Sequence, residues 1–161
     1  MSGMLPIGRR APPLRGGRPA RKGGGVSGQR FEVRSIGVVE SPLGDLADAP
    51  RQGDEGAPDA SILLEPAMVE ALHGLRPGDE VLVLTWLHRA PRDVLRVHPR
   101  GDSGRPEHGV FATRSPGRPN PIGLHRVVVL AVDGRHVRVS GLEAIDGTPV
   151  LDLKPVLTDE R

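Results

Sequence analysis

The chain has 161 residues, a length that predicts one domain with a single hydrophobic core. It has no cysteine, which excludes a disulfide, a thiolate nucleophile and a cysteine-ligated zinc site. The formal net charge is only +2, and no apolar run approaches the roughly 18 residues of a transmembrane helix. These features predict a soluble, cytoplasmic protein.

The charge is concentrated at the amino terminus. Residues 1–30 carry seven Lys or Arg and no acid, which leaves 15 basic and 20 acidic residues in 31–161. This Gly/Pro-rich tail has too few large apolar groups to offset its ordering entropy by burial. We expect a disordered tail over 1–30 and a folded domain over 31–158. A mistaken start codon, a solvated tail and an arm for nucleic acid all remain open.

The folded part is predicted to be mostly β. Residues 33–39 and 61–64 are strand-like, a short helix opens at Pro66, and 81–87 is a near-continuous apolar strand expected to be buried on both faces. Residues 93–97 alternate weakly. Asp133-Gly134 between 124–132 and 136–142 predicts a hairpin, and a last strand follows at 150–153.

These elements together predict an all-β fold. About seven short strands with one short helix favour a single small β-barrel with antiparallel or mixed pairing. Only three aromatic residues are present, two Phe and one Trp, so aliphatic side chains must fill the core.

A Pro-rich segment, residues 109–123, is the most unusual part of the sequence. Three prolines make it unsuitable for a helix or a central strand and predict a stiff, irregular loop. Its two arginines, serine and asparagine would then be held in place. Both a binding role and a purely structural role at the end of a barrel are compatible with this pattern.

Arginine is enriched around that loop. Residues 88–126 contain eight arginines and three acids. This excess has two possible explanations. It can reflect a compositional bias on a solvated face, or it can form a surface that docks RNA or an acidic ligand. The chain lacks the surface aromatics with which RNA-recognition and cold-shock modules stack bases.

Common catalytic motifs are missing. No G-x-G-x-x-G follows a predicted strand, and the six histidines never fall at H-x-H or i, i+4 spacing, so we predict no metal site. His88, at the end of the apolar strand, is the best single polar candidate, although a strand-end histidine satisfied by backbone would look the same.

Several motifs in one order resemble the TrmO (TsaA-like) family. The resemblance covers about residues 32–157 and rests on the segments IGVVESP (36–42), PRQ (50–52), LH (87–88), GVFATRS (109–115), RPNPIG (118–123) and DGTPVLDLKP (146–155). Several positions depart from the family pattern: His125 replaces a small residue, Val156 replaces an aromatic one, and before His88 only Trp86 matches the usual Ser-His-Leu-Trp pattern.

The resemblance implies a methyltransferase that uses S-adenosyl-L-methionine on a β-barrel and works as a homodimer. The implied substrate is tRNA, methylated on the exocyclic nitrogen of N6-threonylcarbamoyladenosine beside the anticodon. One alternative is a methyltransferase that acts on another RNA base or on a small molecule. The other alternative is a non-catalytic regulatory module that binds S-adenosylmethionine or RNA.

Matching motifs also imply the site residues. His88 and Arg114 would be catalytic, with no metal and no membrane involved. Arg118, Asn120 and Lys154 would contact the substrate or RNA. The implied cofactor contacts are Pro50, Arg51, Gln52, Leu87, His88, Arg114, Leu124, Asp146, Gly147, Thr148 and Pro149.

Overall fold

A computed structural model describes residues 28, 30–50 and 53–157. The chain divides into two units, Met1–Phe31 and Glu32–Arg161, and the second of these contains all the strands described below. The predicted tail over 1–30 lies outside the described residues except for Gly28 and Arg30. Arg51 and Gln52 also lie outside them.

Six antiparallel strands close into a barrel, in the order β1-β2-β7-β6-β3-β8. The two remaining strands, β4 and β5, form a separate small sheet. The strands are β1 (Gly37–Glu40), β2 (Ala60–Leu64), β3 (Glu80–Trp86), β4 (Arg96–Val97), β5 (His108–Gly109), β6 (Ile122–Asp133), β7 (His136–Val139) and β8 (Pro149–Pro155). The all-β barrel expectation is therefore confirmed, with every pairing antiparallel.

Short 3₁₀ helices connect some of these strands, at Gly53–Glu55, Pro66–Leu72, Pro99–Gly101 and Val110–Ala112. The helix expected at Pro66 thus forms as a 3₁₀ helix. None of the helices in the described part of the chain is long and apolar enough to cross a membrane.

The core fills the barrel with aliphatic side chains, as the scarcity of aromatics predicts. Fully buried Val39, Ile62, Val83, Val137 and Val150 come from five different strands. Side chains alternate along a strand, so each strand of a single-walled barrel buries only one face.

Two expectations about individual strands were wrong. In β3, Val81, Val83 and Thr85 are buried while the alternate residues are only half-buried, because a closed barrel has one interior and not two covered faces. The first strand begins at Gly37, and Val33 is 65% exposed. The hairpin at Asp133-Gly134 is confirmed, with Asp133 paired to His136.

Candidate active site

Antiparallel pairing brings three connections to one end of the barrel. Strands β1, β3 and β7 end there, and strands β2, β6 and β8 begin there. For example, Glu40 at the end of β1 pairs with Ser61 near the start of β2. In the same way, Trp86 at the end of β3 pairs with Ile122 at the start of β6. The connections 41–59, 87–121 and 140–148 leave from this end, which we call the loop end. The opposite end, with 65–79 and the turn 134–135, is the turn end.

The loop end collects most of the residues that the sequence assigns to a site. Pro50 lies on the first connection, His88 and Arg114 on the second, and Asp146 on the third. Residues that are widely separated in the sequence therefore lie at the same end of the barrel. A shallow pocket at the turn end, lined partly by Val69 and His73, contains none of them.

Arg118 holds the Pro-rich loop in shape. Its guanidinium donates hydrogen bonds to three backbone carbonyl oxygens, at 2.8 Å from Ser115, 3.1 Å from Val110 and 2.6 Å from Thr113. The backbone N–H of Arg118 also donates to the carbonyl of Pro91, at 3.1 Å. The side chain assigned to substrate from the sequence is thus engaged with the loop's own backbone. One end of the segment differs from the expected loop, because Ile122 and Gly123 already belong to β6.

Arg114 presents an exposed guanidinium at the loop end. Its Nη2 donates a hydrogen bond to the carbonyl oxygen of Leu124 in β6. Among the acidic side chains that the structure describes, which do not include Asp54, none lies within 4.0 Å of it. Neighbouring arginines do have such partners, namely Arg89 with Asp45, Arg96 with Glu107, Arg100 with Glu55 and Arg105 with Asp102. Arg114 therefore keeps donors for an external anion.

The turn at Asp146 is fixed against the end of β1. One carboxylate oxygen of Asp146 accepts a hydrogen bond from the backbone N–H of Ser41, at 3.0 Å, and the Asp146 N–H donates to the Leu43 carbonyl at 2.8 Å. Asp146 is nevertheless exposed. Its second oxygen can accept a hydrogen bond from a ligand.

Gly147 and Thr148 shape that turn. Gly147 has a φ of +72°, which favours glycine, and donates to the Val39 carbonyl at 2.8 Å. The Thr148 side chain is 1% exposed, and its hydroxyl donates to the Ile145 carbonyl at 2.7 Å. Both residues place Asp146, and Pro149 begins β8 directly after them.

Leu87 and His88 follow β3 at the loop end. The Leu87 N–H donates to the Pro121 carbonyl at 2.8 Å, which ties the start of the 87–121 connection to its end. Leu87 is half-buried and His88 is exposed. A strand-end histidine directed to solvent is available to a ligand.

The first connection approaches the third closely at Gly53. A Cβ placed on Gly53 would lie 2.5 Å from the carbonyl oxygen of Gly141 and 3.2 Å from Oε2 of Glu143. Only glycine permits this approach. Gly53 of the first connection therefore lies next to the connection that carries Asp146.

A buried polar chain, which the sequence reasoning missed, lies behind these groups. Thr85 Oγ1 is 2.9 Å from Nε2 of His125, and His125 Nδ1 is 2.9 Å from Oε1 of Glu143. Thr85 is 0% and His125 5% exposed. The Nδ1 contact is electrostatic because its geometry falls outside that of a hydrogen bond. We call these three residues the polar chain.

Glu143 is ionised within this chain at neutral pH. Burial alone would raise the pKa of Glu143, but His125, its own backbone and Arg114 favour the charged form and together hold the pKa below its ordinary value. An anionic group thus lies behind the loop end, within electrostatic reach of Arg114.

The polar chain also explains the glycine of the RPNPIG segment. A Cβ on Gly123 would lie 2.3 Å from Thr85 Oγ1 and 2.7 Å from His125 Nε2. Strand periodicity could have found His125, because it shares the inward face of β6 with Gly123, Val127 and Val129. An acid at Glu143, inside an otherwise apolar run, was the second available signal.

Two predicted substrate residues have different placements. Asn120 is exposed on the loop end. Lys154 lies opposite Leu82, roughly 13 Å along β8 from Val150 at about 3.3 Å per residue, and its Nζ is 2.8 Å from Asp152. The structure therefore does not bring Lys154 to the loop-end group. In the part of the chain that the structure describes, no cluster of His, Cys, Asp or Glu could hold a metal ion.

Comparison with known protein families shows which family this chain belongs to. Residues 38–160 match the family model of the tRNA-methyltransferase O N-terminal domain. The chain belongs to this family. A relative from Methanothermobacter thermautotrophicus, named a probable S-adenosyl-L-methionine-binding protein, is 45% identical over 83% of this chain and 96% of its own length. An S-adenosyl-L-methionine-binding protein of Archaeoglobus fulgidus is 43% identical over 76% of this chain and 86% of its own length.

Solved structures agree with the family assignment. The crystal structure of TrmO from Pseudomonas aeruginosa matches with a TM-score of 0.65 and 34% identity, over 80% of this chain and 57% of that one. A further TrmO crystal structure matches with a TM-score of 0.66 and 34% identity, over 83% of this chain and 61% of that one. This chain thus spans less than two thirds of the TrmO chains it matches.

Proposed function

We propose that this protein is an S-adenosylmethionine-dependent methyltransferase that modifies the exocyclic nitrogen of N6-threonylcarbamoyladenosine in tRNA. The family and the S-adenosylmethionine-binding relatives support the cofactor and the reaction class. The observation that carries the proposal is the convergence of His88, Arg114 and Asp146 on the loop end. We propose 31–158 as the catalytic domain, 1–30 as a basic extension, and the cytoplasm, where tRNA is, as the compartment.

The loop-end residues fit this cofactor. S-adenosylmethionine has a carboxylate, an amino group and ribose hydroxyls, and when bound it supplies a methyl group on a positively charged sulfur. The planar guanidinium of Arg114 suits a carboxylate. The free oxygen of Asp146 suits a hydroxyl or ammonium group, and Leu87 and Leu124 offer apolar contact. The segment Pro50, Arg51 and Gln52 would complete the site.

Catalysis by this site is mainly alignment. Fixing two reactants in a productive geometry can contribute about 7–11 kcal/mol. Arg114 would hold the cofactor carboxylate or the threonyl carboxylate of the substrate. His88, also exposed on the same connection, would accept the proton that leaves the acceptor nitrogen or orient that group.

The arginines of the 87–121 connection supply a tRNA-binding surface in this proposal. Four of them form ion pairs with side chains that are all more than a third exposed. Exposed pairs of this kind contribute about 0–1 kcal/mol, so phosphates can replace their carboxylates at little cost. Asn120 is the assigned substrate residue best placed to join them, while Arg118 acts by holding the loop.

A homodimer would cover an apolar surface beside this loop. Phe111 is 85%, Leu95 63%, Ile122 45% and Leu124 43% exposed. The Val110 N–H donates to the Leu95 carbonyl at 3.0 Å, and Phe111 directly follows Val110 in the chain. Light scattering should give twice the chain mass for the wild type and one chain mass for Phe111→Ser; a monomeric wild type would refute the dimer.

The experiment that tests the function is methyl transfer from labelled S-adenosylmethionine to tRNA carrying N6-threonylcarbamoyladenosine. We expect a methylated threonylcarbamoyladenosine peak by mass spectrometry, and at least a tenfold loss of kcat/KM in Arg114→Ala. Arg135→Ala, which removes an exposed arginine at the turn end, is the matched control.

Other outcomes discriminate between the alternatives. Labelled product on a different nucleoside or a small molecule would refute the tRNA substrate but retain the reaction class. Cofactor binding without any turnover would replace the enzyme with a regulatory binding module. An unchanged kcat/KM in Arg114→Ala would remove this residue from the site.

A further inference from the structure

Trp86, the single tryptophan of the chain, lies on the outer face of the barrel at the loop end. It is the last residue of β3, and since Thr85 before it is buried in the barrel, the Trp86 side chain points outward. Trp86 is only half-buried. The guanidinium of Arg92 lies over its ring, with Cζ 5.4 Å from the ring centroid. An aromatic face and a cation are therefore paired at the surface.

Strand register places this pair next to the residues assigned to the cofactor. On one side, Trp86 pairs with Ile122 at the start of β6. On the other side, the pairing of β3 with β8 ends at Val150, one residue before Trp86 is reached, and the turn with Asp146 precedes β8. His88 follows Trp86 by two residues. The indole therefore borders the part of the loop end where we propose methyl transfer.

Arg92 combines a fixed backbone with a side chain that can move. The carbonyl of Pro91 accepts a hydrogen bond from the Arg118 N–H at 3.1 Å, and a Cβ on Gly117 would lie 3.1 Å from Pro91 Cγ. The exposed guanidinium of Arg92 has no ion-pair partner among the described acidic side chains. Since a cation over an exposed ring is held only weakly, this group can shift when a ligand binds.

The chemistry of the pair matches one nucleotide of single-stranded RNA. Proteins recognise unpaired bases by stacking them on aromatic side chains and on the guanidinium plane of arginine, and a guanidinium also binds phosphate. S-adenosylmethionine has an adenine but no phosphate, so it matches only the indole. Residues 88–126 contain eight arginines and three acids, an excess that favours a polyanion over the free cofactor.

We propose that Trp86 and Arg92 form a nucleotide-binding subsite for the RNA substrate. A base of the anticodon loop stacks on the indole, and an adjoining phosphate binds the Arg92 guanidinium. The inference rests on the proposed tRNA substrate, and it adds the residues that hold one nucleotide of the loop beside the cofactor. The motif resemblance gives neither residue a role.

The fluorescence of the single tryptophan tests this subsite directly. The probe is an anticodon stem-loop RNA that carries N6-threonylcarbamoyladenosine, titrated into the full chain. We expect saturable quenching, because a base would stack on the indole, and much weaker quenching by a fully paired RNA duplex of equal length, whose bases are not available. No quenching at saturating stem-loop, or equal quenching by the duplex, would overturn the proposal.

Two further titrations identify a different occupant of the ring. Quenching by S-adenosylhomocysteine alone, with no further change when the stem-loop is added, would assign the indole to the adenine of the cofactor and refute the RNA subsite. Emission that shifts on dilution of the protein but does not respond to RNA would assign this face to a second copy of the chain, and would refute the subsite as well.

Substitution of Trp86 separates substrate binding from cofactor binding. Trp86→Leu removes the aromatic face and should raise KM for the stem-loop by about fivefold or more. We expect kcat, and the Kd of S-adenosylmethionine from calorimetry, to stay within about twofold of the wild type. Trp86→Phe retains a stacking face and should recover most of the loss. An unchanged KM in Trp86→Leu, or an equal loss in both variants, would refute stacking.

A variant of Arg92 covers the case in which Trp86→Leu does not fold. Arg92→Ala should lower the slope of log affinity against log salt concentration by about 0.7, the effect of one phosphate contact on a single strand. Arg135→Ala, which removes an exposed arginine at the turn end, is the matched control and should leave this slope unchanged. Equal slopes in Arg92→Ala and the wild type would refute the phosphate contact.

These measurements distinguish the failure of this inference from the failure of the proposed function. If the wild type methylates the stem-loop and Trp86→Leu does so with an unchanged KM, the subsite is refuted and the function stands. If the stem-loop quenches Trp86 but no nucleoside is methylated, the proposed reaction is refuted and the subsite stands.

Discussion

Substituting Gly123 by alanine should destabilise the barrel strongly. The new Cβ would lie 2.3 Å from Thr85 Oγ1, 2.7 Å from His125 Nε2 and 3.0 Å from Leu87 Cδ2. Overpacking of this kind costs about 1–3 kcal/mol, and displacing the buried hydrogen bond costs about 1–3 kcal/mol more. Alanine also has less conformational entropy than glycine in the unfolded chain, which stabilises the folded state by about 0.4–1 kcal/mol. We expect a net loss of about 1–5.6 kcal/mol, or a Tm lower by about 3–20 °C.

Urea unfolding followed by the fluorescence of Trp86, the single tryptophan, measures this loss. Gly109→Ala is the matched control, because its Cβ would meet only the Leu95 carbonyl at 4.0 Å and its φ is −62°. The control should change the free energy of unfolding by less than about 0.5 kcal/mol. Equal effects of Gly123→Ala and Gly109→Ala would refute the close packing of Gly123 against the polar chain.

Two further predictions concern charge and the loop. Because the pKa of Glu143 is held below its ordinary value of 4.5, its stabilising effect is complete above that value and is lost as the pH falls through the folded-state pKa. Glu143→Gln should therefore be less stable than the wild type at pH 7, by about 1–3 kcal/mol, with the difference shrinking in acid-unfolding curves as the pH falls below the ordinary value of 4.5; a constant difference would contradict this. Arg118→Lys should speed hydrogen exchange in residues 110–118 at least tenfold, because an ammonium cannot serve three separated carbonyls. Arg96→Lys, at an exposed ion pair, is its control, and equal exchange in the two variants would rule out Arg118 as the loop's anchor.

Strand and turn patterns predicted most of the barrel. Asp133-Gly134 located the β6–β7 hairpin, and β-branched runs located β2, β3 and β8 within a few residues. The two-residue strand His108–Gly109 was not predicted, since so short a pairing has no periodicity and depends on the contact with Arg96–Val97. The closure of β8 on β1 depends on long-range pairing, which no local pattern encodes.

The site was harder to predict from the sequence, because residues of one continuous motif can lie at opposite ends of the barrel. The motif 146–155 begins at the loop end with Asp146 and runs along the whole of β8, which carries Lys154 toward the turn end. His88 was singled out for its position at a strand end. His125 was noted only as a departure from the family pattern, although its inward register makes it the histidine that the fold buries.

Hydrogen exchange with and without S-adenosylhomocysteine, the product of the proposed reaction, tests the location of the site most directly. We predict slower exchange in the three loop-end connections 41–59, 87–121 and 140–148, with no change in 65–79 or 134–135. This protection should disappear in Arg114→Ala and persist in Arg135→Ala. Protection confined to the turn end, or none at saturating ligand, would contradict a cofactor site built from the loop end of the barrel.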